Sequence, residues 1–314
     1  MFEIKLYDSS YEQAWNDFVM RSKNGTFLFN RQYMDYHSDR FADHSLLFFR
    51  KNALYALLPA NRKGNTLFSH QGLTYGGLIM NGKATAEAIL SLFAELNTWL
   101  HSQGITQVVY KPTPWIYHQI PAQEDLYALT EICNAQLTAR EISSTIMLDH
   151  PVKFTESRKS GIRKAIRANL ACKESDDLKA FWQMLDANLA SRHQAHPVHS
   201  LAELELLHSR FPQHIRLFLV YNKEERPIGG TLVYEAGQVI HTQYIASTDE
   251  GKALGALDLL FDELIHHHYS NNAYFDFGKS TEQSGHYLNK QLIFQKEGFG
   301  GRGVCYDTYQ WNIP

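Results

Sequence analysis

The chain has 314 residues, beyond the size at which a single hydrophobic core stops growing, so two lobes are expected. Its 44% hydrophobic and 20% charged content is that of an ordinary globular protein, and a formal net charge of −3 argues against a general nucleic-acid binder, leaving only local contacts to polyanions. No apolar run approaches the roughly 18–20 residues of a membrane span, no basic and apolar leader opens the chain, and Cys133, Cys172 and Cys305 fall outside any CxxC pattern, which together predict a cytoplasmic protein without a disulfide framework or metal site.

The first half opens with a strand, Phe2–Leu6. A helix follows over 11–19, with Ala14, Trp15, Phe18 and Val19 on one face, and Asn24-Gly25 stops it. Residues 31–37 predict a second short helix. Ser45–Arg50 and Leu54–Ala60 read as strands joined by a tight turn at Lys51-Asn52-Ala53. Ser69-His-Gln-Gly-Leu-Thr-Tyr-Gly-Gly is a glycine-rich loop or a bulged strand. A long amphipathic helix is expected over 84–101, with Ile89, Leu92, Phe93, Leu96 and Leu100 apolar, followed by a buried strand at 105–110 that the prolines of Lys111-Pro-Thr-Pro-Trp terminate. Ser144–Leu148 closes this half.

The second half begins near His150-Pro151, giving domains at 1–150 and 151–314. Helices are expected over 154–170, 178–189 and 201–208, then strands over 215–221, 228–235 and 239–246. A helix over 254–268, a strand over 273–277, a helix over 286–296 and a strand over 304–311 complete it. The two halves share an order of elements without sharing residues, which predicts two copies of one α/β fold.

Tyr274-Phe-Asp-Phe-Gly resembles the "YDFGG" strand of the FemAB-like, double-lobed branch of the GNAT acyltransferases, and Phe294-Gln-Lys-Glu-Gly-Phe-Gly-Gly resembles its "FKxGFGG" turn. Arg158-Lys-Ser-Gly-Ile-Arg-Lys-Ala-Ile-Arg resembles the linker between its lobes. The resemblance implies an α/β protein with two tandem GNAT-like lobes, each a mixed, largely antiparallel sheet flanked by helices. It implies an N-acyltransferase that moves an acyl or aminoacyl group from acyl-CoA or aminoacyl-tRNA, used as co-substrate, to an amine. The acceptor would be a small molecule or a cell-envelope precursor, such as a cell-wall or polysaccharide precursor; tRNA draws no support from the net charge. The first lobe would be degenerate and serve the acceptor, and the second would hold the donor cleft.

Two features depart from the family pattern. The loop that holds the CoA pyrophosphate corresponds to Glu250-Gly-Lys-Ala-Leu-Gly-Ala, where a carboxylate and Ala253 stand in place of a polar residue and glycine, with Lys252 a partial compensation. The alternative is a plain helix start capped by Thr248 or Asp249. Phe294 stands where many GNAT enzymes carry a proton-donating tyrosine. Both departures favour the rival reading, a catalytically inactive GNAT-like ligand-binding protein.

Lys296 keeps the family's lysine and would stabilise an oxyanion or bind a donor phosphate; the plain alternative is a surface lysine at a helix C-terminus. Asp276, in an apolar strand, is a candidate general base raised by burial, or an Asp bonding the following turn. The strand His241–Ser247 is expected to grip the donor, with His241, Gln243 and Ile245 on one face and Thr242, Tyr244 and Ala246 on the other. Ile245, Ala246, Lys252 and Gly255 are the donor-binding candidates. Arg163 and Arg167 share a helical face with Lys159 that would bind phosphates, or would simply be solvated. His70 and Tyr75, with Lys111, would line an acceptor groove. His266-His-His lie about 100° apart on a helix and do not converge on a metal; His193, His196 and His199 are possible acceptor contacts.

Overall fold

The chain opens with β1 (Glu3–Leu6), α1 (Glu12–Arg21) and α2 (Arg31–Met34), the last shorter than expected because it tightens into a 3₁₀ turn at Asp35–His37. The computed structural model describes residues 1–193 and 196–314; the side chain of His193 lies outside the described residues. β2 (Leu46–Arg50) and β3 (Ala53–Leu58) form a hairpin whose two turn residues, Lys51 and Asn52, take φ of 50° and 60°. Two left-handed residues match the twist of the flanking strands, so the turn spans two residues. β4 (Asn61–Lys63), β5 (Thr66–Phe68) and β6 (Ile79–Met80) follow, and residues 69–77 are a loop. Next come α3 (Ala86–Ser102), β7 (Gln107–Tyr110) and α4 (Glu124–Glu131). α3 buries Ile89, Leu92, Phe93, Leu96 and Leu100 along its inner face, each worth roughly 1.5–3 kcal/mol against leaving it in water.

β8 (Gln136–Met147) is far longer than the expected 144–148. Its first residues are mostly exposed and carry no apolar alternation; they are fixed by tertiary bonds, Arg140 holding Asp307 through two bonds of 2.7 and 2.8 Å and Thr138 donating to the Thr308 carbonyl. Then come α5 (Glu156–Arg167), β9 (Ala171–Ser175), α6 (Leu178–His193) and α7 (Leu201–Arg210), the last begun by a capping box between Ser200 and Glu203. β10 (Ile215–Tyr221), β11 (Pro227–Ala236) and β12 (Val239–Ser247) form an antiparallel run.

The helix expected over 254–268 is three pieces: α8 (Asp249–Leu254), α9 (Ala256–Glu263) and a π turn at Leu264–His268. Gly255, at φ 79°, separates the first two. β13 (Tyr274–Lys279), short strands β14 (Thr281–Glu282) and β15 (Tyr287–Leu288), α10 (Lys290–Gly298) and β16 (Arg302–Asn312) end the chain. α10 starts four residues later than expected because Asn289 caps it, its Oδ1 accepting from Leu292 N–H at 3.0 Å.

The chain divides into two compact units. The first comprises Met1–Glu141, Glu282–Tyr287 and Cys305–Pro314, and holds a β1-β2-β3-β6 sheet and the order β4-β5-β7-β16. Its core gathers α3 with Phe48, Leu58, Val108, Tyr110 and Trp311. The second comprises Ile142–Thr281 and Leu288–Val304, with the strand order β8-β13-β12-β11-β10-β9. α9 and the π turn after it cover one face of that sheet, packing Leu260, Phe261 and Leu264 on Ile240, Phe275 and Phe277. Among the described residues no helix is long and apolar enough to cross a membrane.

Candidate active site

In the second unit, β12 and β13 run parallel but pair only over Val239–His241 and Tyr274–Asp276, after which they part. A cavity of about 460 Å³ lies where they diverge. Ile245, Ala246 and Ser247 of β12, Phe277 of β13, and Leu257 and Phe261 of α9 line it, and one side of α10 closes it with Gln291, Leu292, Gln295 and Lys296. That i, i+1, i+4, i+5 spacing is one helix face. The charged residues among the described lining are Arg158, Lys252 and Lys296, all cationic.

Lys296 is buried at 6% exposure, and its ammonium donates to the carbonyls of Gly278 and Lys279, each at 2.8 Å. It is therefore no surface lysine. Burial pushes it down to about 8, while the Asp276 charge pulls the other way. Gly278 sits at a bulge, two residues of β13 having no partner on β8, with φ 72°. That geometry turns its carbonyl to the lysine and suits glycine.

Asp276 is fully buried. Its Oδ1 accepts from the hydroxyls of Ser143 and Thr145 (the latter 2.7 Å), and its Oδ2 from His241 Nδ1 at 2.8 Å. Burial raises a carboxyl, but His241 and the two hydroxyls outweigh it and hold Asp276 below its ordinary value. The expected raised base is thus corrected: the carboxylate is ionised and saturated with donors.

The expected facing of β12 is also corrected. Gln243 is an extra residue against β11, since Thr242 pairs with Val233 and Tyr244 with Leu232. The bulge reverses the alternation beyond it. Ile245 therefore shares the α9 core with Ile240, while His241 and Tyr244 take the opposite face, where α6 packs on β12. Tyr244 OH lies 2.6 Å from His199 Nδ1 there, and His196 Nδ1 lies 2.7 Å from Asp186.

Around Gly255 the chain is helical. Thr248 caps α8, its Oγ1 accepting from Gly251 N–H at 3.0 Å, so the plain helix start is what forms. Glu250 turns to the β10–β11 turn, where Asn222 donates to it at 2.7 Å, and it does not line the cavity. Gly255 lies outside the lining: a Cβ there would stand 2.5 Å from the Gly161 carbonyl, so it serves the α5–α9 contact. Phe294 is 64% exposed and lies outside the lining.

Arg163 and Arg167 project from the exposed face of α5 away from the lining, Arg163 reaching Glu156 at 3.4 Å. The helix's cavity residue is Arg158, which donates to Asp258 at 2.6 Å and stacks on Phe299. Its spacing from Ile162 and Ala165, i, i+4 and i+7, was the available signal that it faces inward. His70 and Tyr75 are buried in the first unit. Tyr75 OH donates to Thr26 at 3.1 Å, and His70 stacks on His37 at 5.3 Å between ring centres. Desolvation pushes His70 down to about 3. Lys111 donates to the Leu73 carbonyl. In the histidine triplet, His266 pairs with Asp262 and His268 packs on Phe218.

Residues 156–287 match the acetyltransferase (GNAT) domain family. No curated protein sequence matches the chain. Among solved structures, the crystal structure of FemX superposes with a TM-score of 0.69 at 12% identity, covering 99% of this chain and 97% of that one. L-PGS from Bacillus licheniformis gives 0.63 at 11% identity, covering 98% and 92%. A tandem GNAT protein from the clavulanic acid biosynthesis pathway gives 0.51 at 11% identity, covering 100% and 99%. The fold is thus that of tandem GNAT proteins over the whole chain, as the motif resemblance implied.

Proposed function

We propose that this chain, a tandem-GNAT fold with an acetyltransferase (GNAT) domain over residues 156–287, is an N-acyltransferase that takes a phosphate-bearing acyl or aminoacyl donor into the cavity between β12 and β13. The carrying observation is that cavity's charge: Arg158, Lys252 and Lys296 line it without a carboxylate among the described lining residues. Acyl-CoA and aminoacyl-tRNA both present phosphates and a reactive carbonyl, and cations are the groups that hold phosphates.

In the reaction an unprotonated amine attacks the carbonyl carbon, a C–N bond forms, and the carbonyl electron pair moves to oxygen. Lys296, its ammonium already fixed by two carbonyls, is positioned to stabilise that oxyanion without reorganising. Collapse expels the thiolate or ribose oxygen. The acceptor is an amine on a small molecule or a cell-envelope precursor.

Calorimetric titration with acetyl-CoA, a longer acyl-CoA and an aminoacyl-tRNA tests the donor class. Saturable binding of one of them, weakened in Lys252→Ala, supports the reading. Binding to none overturns it, and binding without transfer to any amine replaces it with a ligand-binding protein.

A further inference from the structure

His241 and Asp276, at the β12–β13 junction, have no role in the mechanism above. They are directly paired across the parallel strands, at the last rung before the strands part. Asp276, ionised, has only acceptor atoms, so the 2.8 Å contact requires a proton on His241 Nδ1. In the neutral tautomer with that proton the lone pair is on Nε2. Among the described residues Nε2 has no hydrogen-bond partner, and it is not sealed in the interior: the side chain keeps 13% exposure. The ring is anchored at one nitrogen and open at the other.

Its location adds a second, independent observation. A Cβ placed on Gly278 would stand 3.2 Å from His241 Cε1 and 3.8 Å from Nε2, so the imidazole lies against the same glycine whose carbonyl holds Lys296. The ring is on the sheet face opposite the α9 core, the face on which α6 packs, and the cavity is lined from both sides, by Leu257 and Phe261 of α9 and by Leu185, Asn188 and Leu189 of α6. One bulged peptide thus has an ammonium on its carbonyl and an imidazole against its α-carbon.

We propose that His241 Nε2 is the proton acceptor for the incoming amine, with Asp276 its positioning residue. The inference rests on the acyl-transfer reading above. As the amine nitrogen bonds to the carbonyl carbon it becomes cationic; its proton passes to Nε2. When the oxyanion collapses and the bond to the leaving group breaks, the departing thiolate or ribose oxygen takes that proton, and the neutral ring is restored. No oxidant, reductant or metal enters the balance. Asp276 fixes the tautomer and steadies the imidazolium, which is why its own hydroxyl donors, Ser143 and Thr145, occupy the other oxygen.

The test compares the full-length protein with His241→Ala and His241→Gln. Donors are acetyl-CoA and aminoacyl-tRNA, and the acceptors are small primary amines of graded basicity. General-base catalysis contributes about 10²–10⁴-fold, so the alanine variant should lose at least about a hundredfold in kcat while its calorimetric donor affinity holds. Added imidazole should restore about tenfold or more in the alanine variant and nothing in the glutamine variant, a rescue that loss of packing would not show. Nitrogen-15 NMR of the wild-type protein provides a reading that needs no turnover and no variant: the Nδ1–H tautomer is expected. Wild-type transfer with an alanine variant within threefold of it, absent rescue, or an Nε2–H tautomer overturns this inference and leaves the acyltransferase reading standing. A wild-type protein that transfers from neither donor to any amine overturns both.

Discussion

Replacing Lys296 by Met separates the cost of its buried charge from every other titrating group. Folding takes the ammonium from water into a site with 6% exposure, and its proton affinity falls from the ordinary 10.5 to about 8. Between those values the unfolded chain binds a proton that the folded chain does not, so stability must rise with pH across that window. Below about pH 8 both states are protonated and the full cost applies; above 10.5 neither is, and the cost disappears. At about 1.4 kcal/mol per pH unit the window is worth on the order of 3 kcal/mol. Met has a similar length and no charge, so groups other than Lys296 cancel when the two proteins are compared. Urea unfolding at intervals from pH 7 to 11 should show wild type gaining roughly 3 kcal/mol on the Met variant, almost all of it above pH 8. A difference that stays flat, or that falls as pH rises, would refute the buried-ammonium account and with it the role of Lys296 as a pre-set cation.

Three further outcomes follow from the geometry. His70, held down to about 3 by desolvation, should make the first unit lose stability as pH falls from 6.5 towards 3, by up to about 5 kcal/mol, and His70→Asn should flatten that limb in acid unfolding curves. Gly255→Ala places a Cβ 2.5 Å from the Gly161 carbonyl at φ 79° and should cost at least about 1–2 kcal/mol, read as a lowered melting temperature in calorimetry. Lys252→Ala, whose side chain pairs among the described residues with the exposed Asp249, should weaken donor binding about five- to tenfold at low salt with the melting temperature unchanged, and the difference should shrink at high salt.

Much of the architecture was legible in the sequence. Apolar runs bounded by turn residues and amphipathic spacing located α3, α7, β10, β11 and β12 to within a few residues. The motif around Phe294–Gly301 marked Lys296, and the resemblance to the family's donor strand and pyrophosphate loop marked Ile245, Ala246 and Lys252, all of which line one cavity. Of the two readings of the loop at Glu250, the helix start capped by Thr248 is what forms, while the direction of the Glu250 carboxylate depends on Asn222, 28 residues away.

Residue identity alone placed a histidine on β12, an aspartate on β13 and a basic run on α5. Only the tertiary structure decided what they do. A bulge at Gln243 reversed the facing of β12, since one extra residue in a period of two moves every later side chain to the other face. The parallel register then set His241 opposite Asp276 across 35 residues of chain, and the packing of α5 on α9 chose Arg158 over Arg163 and Arg167. Periodicity reports which residues share a face; it carries no information on which element that face will meet, and both the buried charge and the open imidazole nitrogen depend on that meeting.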